Sequence, residues 1–217
     1  MTPMETELQA QTYAERERLA ALLADLAEQQ WDTPSLCAGW RVREVVAHIT
    51  MPFRTSAPRF VAGLVTARFS FNRYADSVAR RDGARMTTDE LLGTLRDNIR
   101  HPWQPPGGGP AAALSHDVIH GLDITEPLGL PPAPPERIAT VLAHSRPRAL
   151  AYFGVDLTGV ELRATDAEFR LGTGSVVELP VKDILLIVTG RRPVPHEGAE
   201  TATALHQPRR SGSGVDH

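Results

Sequence analysis

Amphipathic helical patterns, interrupted by proline and glycine, constrain the fold of this chain more than any other feature. In the segment 6–30, and again after Val42, apolar residues recur three and four positions apart. Side chains at these spacings share one face of a helix, so each helix needs a partner against which to bury that face. Charged residues of the first helix are expected on its other, exposed face. The apolar residues are Leu19, Leu22, Leu23 and Leu26, then Val42, Val45, Val46 and Ile49; the charged ones are Glu15, Arg16 and Arg18.

Further helical patterns follow along the chain and predict a helix bundle, because helices joined by short irregular segments pack against one another. The polar, arginine-rich stretch 72–85 carries no evident apolar face, and the segment 101–110 is too rich in proline and glycine for regular structure. The predicted helices occupy 59–69, 86–99, 111–124 and 136–153, the last with a break at Pro147.

The pattern of the sequence changes after Gly154. Apolar and polar residues alternate between 159 and 179, which predicts two or three short antiparallel strands with a turn at Gly172 and Gly174. A short helix follows and ends at Gly190. We therefore divide the chain into a bundle (1–153), a small αβ extension (154–196) and a polar tail (197–217) that is expected to be disordered.

Composition excludes several classes of protein. The net charge of the 217 residues is −3, and no basic block is present to bind nucleic acid. No apolar run is long enough to span a bilayer, and the polar N-terminus does not resemble a signal peptide. We expect a cytoplasmic monomer or homodimer that binds neither nucleic acid nor membranes. Among the 23 basic residues only Lys182 is a lysine, a bias typical of a GC-rich genome.

Histidines form the most informative motif. In "SHDVIHGLDITEPLG" (115–129), His116 and His120 are four residues apart and therefore lie on one face of the predicted helix. They could be surface residues, a buried pair or two ligands of a metal. His48 is the candidate third ligand, since it lies beside the apolar face of its own helix. Three imidazoles with one open position are typical of catalytic zinc sites, and Asp123 could orient the imidazole of His120.

Other reactive or aromatic residues have plainer interpretations. Cys37 is the single cysteine, so the chain forms no internal disulfide, and a small buried thiol is favoured over a nucleophile. Trp31 and Trp40 flank the Pro/Gly turn and are expected to pack it onto the bundle. Arginines near the turn are interpreted as solvated side chains, and the remaining histidines are assigned no role. These are Arg41 and Arg43, and His101, His144, His196, His206 and His217.

Two motifs together resemble the mycothiol-dependent maleylpyruvate isomerase family: "WDTPSLCAGWRVREVVAHI" (31–49) and "HDVIHGLDITEPLG" (116–129). That family belongs to the DinB/YfiT-like metal-binding bundles, and "GVELRATDAEFRLGTG" (159–174) is similar to its C-terminal extension. The resemblance implies a mainly α fold: a DinB-like up-down four-helix bundle with a small αβ extension. It also implies a divalent metal, commonly zinc, on His48, His116 and His120, and mycothiol, an actinobacterial thiol, as cosubstrate. The isomerase has a glutamate where this chain has His116.

These observations favour a metal-dependent enzyme that activates mycothiol for attack on a small electrophile. Addition to a conjugated double bond would permit cis–trans isomerisation, and displacement of a leaving group would give an S-conjugate. The missing glutamate favours a thiol S-transferase over the isomerase. Two alternatives remain open at the level of sequence: a metal-dependent hydrolase of the same fold, and a non-catalytic ligand-binding or regulatory bundle.

Overall fold

The computed structural model describes residues 2–144 and 152–195. Within these ranges the chain is mainly helical, with eight α-helices, a short 3-10 helix at Glu28–Asp32 and two strands. In chain order the helices are α1 (Pro3–Ala24), α2 (Val42–Arg54), α3 (Ala57–Thr66), α4 (Phe71–Arg85), α5 (Thr88–Asp97), α6 (Gly109–Leu128), α7 (Pro135–His144) and α8 (Val181–Val188); the strands, β1 (Thr158–Ala164) and β2 (Arg170–Leu179), precede α8.

Four helices, α1, α2, α5 and α6, surround one hydrophobic core. The predicted apolar faces supply this core: leucines of α1 and α5, valines and isoleucine of α2, and Ile124 of α6. Each of α1 and α2 contacts both α5 and α6. The predicted four-helix bundle is thus confirmed. Helix α6 packs against both α1 and α2.

A hairpin of α3 and α4 covers the outer side of α2. Helix α4 was not predicted, yet residues 71–85 form a regular helix with extensive contacts to α2. Its buried face is built around small residues, Ala75, Ala79 and Gly83, which allow close approach of the two helices but leave little apolar periodicity.

The expectation for the charged face of α1 was wrong at two positions. Glu15 and Arg16 have 0% exposure and form ion pairs across the bundle. Glu15 accepts hydrogen bonds from Arg18 and Arg137, and Arg16 pairs with Asp117 of α6. Because buried charges are stabilised by partners from distant segments, local periodicity alone could not reveal them.

The C-terminal extension packs on α6 and α7 through a second hydrophobic core that includes Leu162 of β1 and most of α8. The strands were expected to be antiparallel, but their longer register is parallel, from Thr158 opposite Thr173 to Ala164 opposite Leu179. Only the first residues of β2 also pair with β1 in the antiparallel direction. Gly172 and Gly174, both at positive φ, lie where β2 changes direction, and a Cβ at Gly174 would lie 2.1 Å from a backbone oxygen of β1.

Several predictions concern residues outside the described ranges. The break expected at Pro147, His196 and the tail 197–217 with His206 and His217 all lie there, and the division at residues 153 and 154 stays a prediction. Among the described residues, no helix combines the length and apolar content needed to cross a membrane.

Candidate metal centre

Three imidazoles converge between α2 and α6. His48, on α2, places its Nε2 atom 3.2 Å from Nε2 of His116 on α6. The His120 ring lies one turn further along α6, with its centroid 4.7 Å from that of His48 and 4.8 Å from that of His116. One nitrogen from each ring can be chosen so that all three lie within 4.8 Å of one another. Helical spacing places His116 and His120 side by side on α6, and the packing of α2 against α6 brings His48 to them.

The Nδ1 atom of His116 is held by an ion pair that crosses the bundle. It lies 2.8 Å from Oδ1 of Asp117, whose other oxygen accepts a 2.7 Å hydrogen bond from Nε of Arg16. The same guanidinium donates to the backbone oxygen of His101, at 2.7 Å. Arg16 therefore fixes both the carboxylate behind His116 and the loop that follows α5. This role of Asp117 and Arg16 was not predicted from the sequence.

The Nδ1 atom of His120 has an equivalent support. It lies 2.9 Å from Oδ2 of Asp123, as the i, i+3 spacing suggested. Arg191, just beyond α8, donates two hydrogen bonds to this carboxylate, at 2.5 and 2.8 Å. Carboxylates that accept from one ring nitrogen fix the tautomer and aim the other nitrogen at a metal, so the support is typical of histidine ligands.

Burial keeps two of these histidines neutral. It lowers the pKa of His48 well below its ordinary range, with the neighbouring His120 and His116 adding to the effect. Burial also lowers the pKa of His120, against the opposing influence of the hydrogen bond to Asp123. For Asp123, burial opposes ionisation, but hydrogen bonds from Arg191 and His120 outweigh it and hold the pKa of this carboxyl well below its usual range. Burial thus favours the neutral form of His48 and of His120, and the carboxylate behind His120 stays ionised.

The donor set fits a divalent metal such as zinc. Two nitrogens of a tetrahedral zinc site, each 2.0–2.1 Å from the ion, lie about 3.3 Å apart, close to the separation of the Nε2 atoms of His48 and His116. His116 and His120 have their Nδ1 atoms occupied by carboxylates, which leaves the Nε2 lone pairs available. Three imidazoles leave a fourth position for an exogenous ligand.

Aromatic side chains border the three imidazoles. The Trp40 ring lies 5.2 Å from that of His48, and its Nε1 donates to Oδ1 of Asp76 on α4 at 2.7 Å. Trp103, from the proline-rich loop, packs edge-on against His116 at 5.3 Å and was not predicted. Trp31 is 2% exposed and packs the turn onto the core, as expected, whereas Trp40 is only half-buried and lies beside the centre.

Cys37 also lies at the centre, behind His120. Its Sγ donates to Oδ2 of Asp123 at 3.0 Å and lies 3.7 Å from Nδ1 of His120. Burial and the adjacent Asp123 raise the pKa of the Cys37 thiol, which therefore stays protonated. Cys37, His120 and Asp123 form a second cluster of possible ligands, but Arg191 already neutralises its carboxylate. The interpretation of Cys37 as a small packed thiol fits this geometry.

The remaining candidates stand apart from the three imidazoles. Arg41 pairs with Glu44 and Asp32, and Arg43 also pairs with Asp32, so neither guanidinium is simply solvated as the sequence suggested. The His101 ring packs on Phe53. His144 is exposed at the end of α7, where its Nδ1 lies 2.9 Å from the Thr140 oxygen.

The fold and the histidine arrangement together define a DinB-like helix bundle with a potential metal centre. Residues 13–101 match the family model described as the mycothiol maleylpyruvate isomerase N-terminal domain. The match includes His48 and ends before α6. None of the curated proteins matches this chain.

Among solved structures, the chain is similar to a histidine-to-alanine mutant of the mycothiol-dependent maleylpyruvate isomerase. The two chains are 14% identical and superpose with a TM-score of 0.54, over 88% of this chain and 93% of the other. At this identity the likeness shows a shared fold. The family resemblance inferred from the two sequence motifs is confirmed.

Proposed function

We propose that this protein is a metal-dependent enzyme that uses mycothiol and activates its sulfur for attack on a small electrophile. The observation that carries the proposal is the convergence of His48, His116 and His120 between α2 and α6, with two Nδ1 atoms held by carboxylates. A divalent metal, for which zinc is the best candidate, would be held by these three residues. When bound, it would lower the pKa of a thiol in the open position and so supply a thiolate at neutral pH.

The chain's own residues prepare the site for an anionic sulfur. All three proposed ligands are imidazoles, which bring no negative charge of their own. Asp117 and Asp123 are each paired with an arginine, so their charges are offset behind the ligands. Trp40 and Trp103 border the imidazoles and would reduce the access of water to the reacting atoms.

We favour an S-transferase over an isomerase, because His116 occupies the position of the glutamate of the isomerase. In the transfer reaction a C–S bond forms, the bond from carbon to the leaving group breaks, and the thiol proton passes to solvent. The leaving group departs with the bonding electron pair. In the isomerase reaction the sulfur adds to a conjugated double bond and is expelled after rotation.

Monochlorobimane provides a direct test with the full-length protein. Zinc-loaded protein should form the fluorescent conjugate with mycothiol much faster than with cysteine, and faster than the uncatalysed reaction. Protein stripped by chelation should lose this rate and regain it when zinc is restored. Equal rates with and without zinc, or turnover of the electrophile by water alone, would overturn the proposal and favour a hydrolase. A parallel assay with maleylpyruvate distinguishes transferase from isomerase.

A further inference from the structure

Exposed apolar side chains concentrate at one corner of the molecule, formed by α3, the turn after it and the start of α4 (residues 57–73, here the α3–α4 corner). None of the residues of α3 is buried. Of the seven large apolar side chains that are most exposed in the described part of the chain, four belong to this corner and a fifth, Tyr152, contacts its Asn72. The four are Val61 (58%), Val65 (54%), Phe69 (79%) and Phe71 (45%). Such a concentration is unusual for a surface that faces only water.

The same corner is strongly basic. Residues 51–75 contain four arginines and no aspartate or glutamate, in a chain whose net charge is −3. Arg54 is paired with Asp82. The other three, Arg59, Arg68 and Arg73, are exposed, and none of them pairs with a carboxylate within residues 2–144 and 152–195. The surface therefore combines projecting apolar groups with unpaired positive charge.

The backbone holds the most exposed ring outward. Arg68 and Phe69 both adopt left-handed conformations, with φ of 52° and 58°, and are the only non-glycine residues with positive φ in the described part of the chain. This conformation is unfavourable for residues with a side chain, and for bulky ones especially. It places Phe69 at the tip of the turn between α3 and α4, with an arginine beside it.

We propose that the α3–α4 corner docks on the surface of a bilayer that contains anionic lipids. Phe69 and the apolar side of α3 would enter the boundary between headgroups and acyl chains, and Arg59, Arg68 and Arg73 would contact the anionic headgroups. A second copy of the chain fits less well, because a twofold interface would place the unpaired arginines of both copies together. The projecting Phe69 would also need a matching groove in a protein partner, whereas a lipid surface needs no preformed groove. Such docking needs no membrane-spanning segment, but it departs from the expectation, drawn from the sequence, that the protein binds no membranes.

Vesicle flotation with the full-length protein tests the proposal. At 50 mM NaCl the protein should float with vesicles of phosphatidylcholine and phosphatidylglycerol but not with phosphatidylcholine alone, and 500 mM NaCl should release it. Phe69→Ser should weaken binding about tenfold. Each of Arg68→Gln and Arg73→Gln should weaken it about fivefold. The matched controls, Val176→Ser on β2 and Arg100→Gln, should bind as the unaltered chain does, because both residues are exposed elsewhere.

Three outcomes would overturn the proposal. Absence of binding to anionic vesicles at low salt is the first. The second is that the corner variants and their controls change vesicle binding equally. Reversible self-association that Phe69→Ser abolishes, with no flotation, would show instead that a second copy covers this corner. Circular dichroism of each variant ensures that the comparison is made between folded proteins, and the arginine variants provide the test if Phe69→Ser does not fold.

Discussion

Arg191 donates two hydrogen bonds, of 2.5 and 2.8 Å, to the carboxylate of Asp123, which lies 68 residues earlier in the sequence. Asp123 belongs to α6 of the bundle, and Arg191 follows α8 of the C-terminal extension. Since Asp123 also contacts His120, the extension supplies the positive charge that pairs with the carboxylate behind the candidate metal centre. The bundle and the extension are therefore connected through the site itself, and not only through apolar packing.

Replacing Arg191 should destabilise the fold much more than replacing its neighbour. Arg191→Met leaves the buried Asp123 carboxylate without its main partner, which should lower the free energy of unfolding by about 3 kcal/mol. Arg192→Met removes pairs with Asp183 and Glu126, but the Arg192 side chain is 44% exposed, so the free energy of unfolding should change by less than about 1 kcal/mol. Urea unfolding of the metal-free proteins measures both values. Equal losses for the two variants would contradict the role of Arg191.

Metal binding should depend on His120 and not on His144. His120→Ala removes a proposed ligand and should weaken zinc binding by more than the roughly 10- to 100-fold that follows loss of an outer hydrogen-bond partner. Asp123→Asn should have an intermediate effect. The control, His144→Ala, alters an exposed residue at the end of α7. Competition with a chromogenic chelator reports the affinities, and unaltered affinity of His120→Ala would remove His120 from the centre.

Cys37 should be dispensable for thiol chemistry. Burial and the adjacent Asp123 raise the pKa of the thiol and keep it protonated, so Cys37→Ser should retain mycothiol-dependent turnover and zinc content. The thiol should react slowly with a disulfide reagent in the folded protein and rapidly in urea. Because the chain has one cysteine, the labelling reports on this residue alone. Loss of turnover in a Cys37→Ser protein that still binds zinc would identify Cys37 as part of the reaction.

Asp82 should stabilise the protein at neutral pH and not in acid. Burial opposes its ionisation, but hydrogen bonds from Arg81 and Arg54 outweigh burial and lower the pKa of the carboxyl. A lowered folded-state pKa gives stability that is present above the unfolded value, about 3.9, and is lost as the pH falls through the folded-state pKa. Asp82→Asn should therefore be less stable than the unaltered chain at pH 7, by roughly 1–3 kcal/mol.

That difference should shrink in acid, as unfolding by urea at pH 7 and at pH 3 would reveal. Asp97→Asn is the control, since Asp97 is exposed near the end of α5. A difference between Asp82→Asn and the unaltered chain that is the same at both pH values would show that the carboxylate charge is not what stabilises this part of the fold.

The sequence predicted the three imidazoles because His116 and His120 have helical i, i+4 spacing and His48 lies beside the regular apolar face of its own helix. That periodicity sets the direction of every side chain on the helix, including His48, His116 and His120. Arg191 and Trp103 lie in irregular segments after α8 and α5, where no periodic pattern relates sequence position to direction. Their contacts with Asp123 and His116 depend on the tertiary path of the chain, which cannot be predicted from the pattern of a single sequence.

The errors have a common physical origin. Arg16 was assigned to an exposed face because a charged side chain is usually solvated, but its partner Asp117 comes from a helix 101 residues away. The relative direction of the strands was misjudged because alternation predicts a strand without its direction. Helix α4 was missed because its buried face relies on small residues whose packing produces no strong hydrophobic pattern.

The pair between Arg16 and Asp117 also limits how members of this fold can diverge. A glutamate in place of His116 would put a second carboxylate next to Asp117, whose one arginine partner is buried and already shared with the backbone of His101. We therefore expect His116→Glu alone to be unfavourable in this chain. An isomerase-like ligand set would call for compensating substitutions on α1 or at Asp117, so that residues 16, 116 and 117 should change together among relatives.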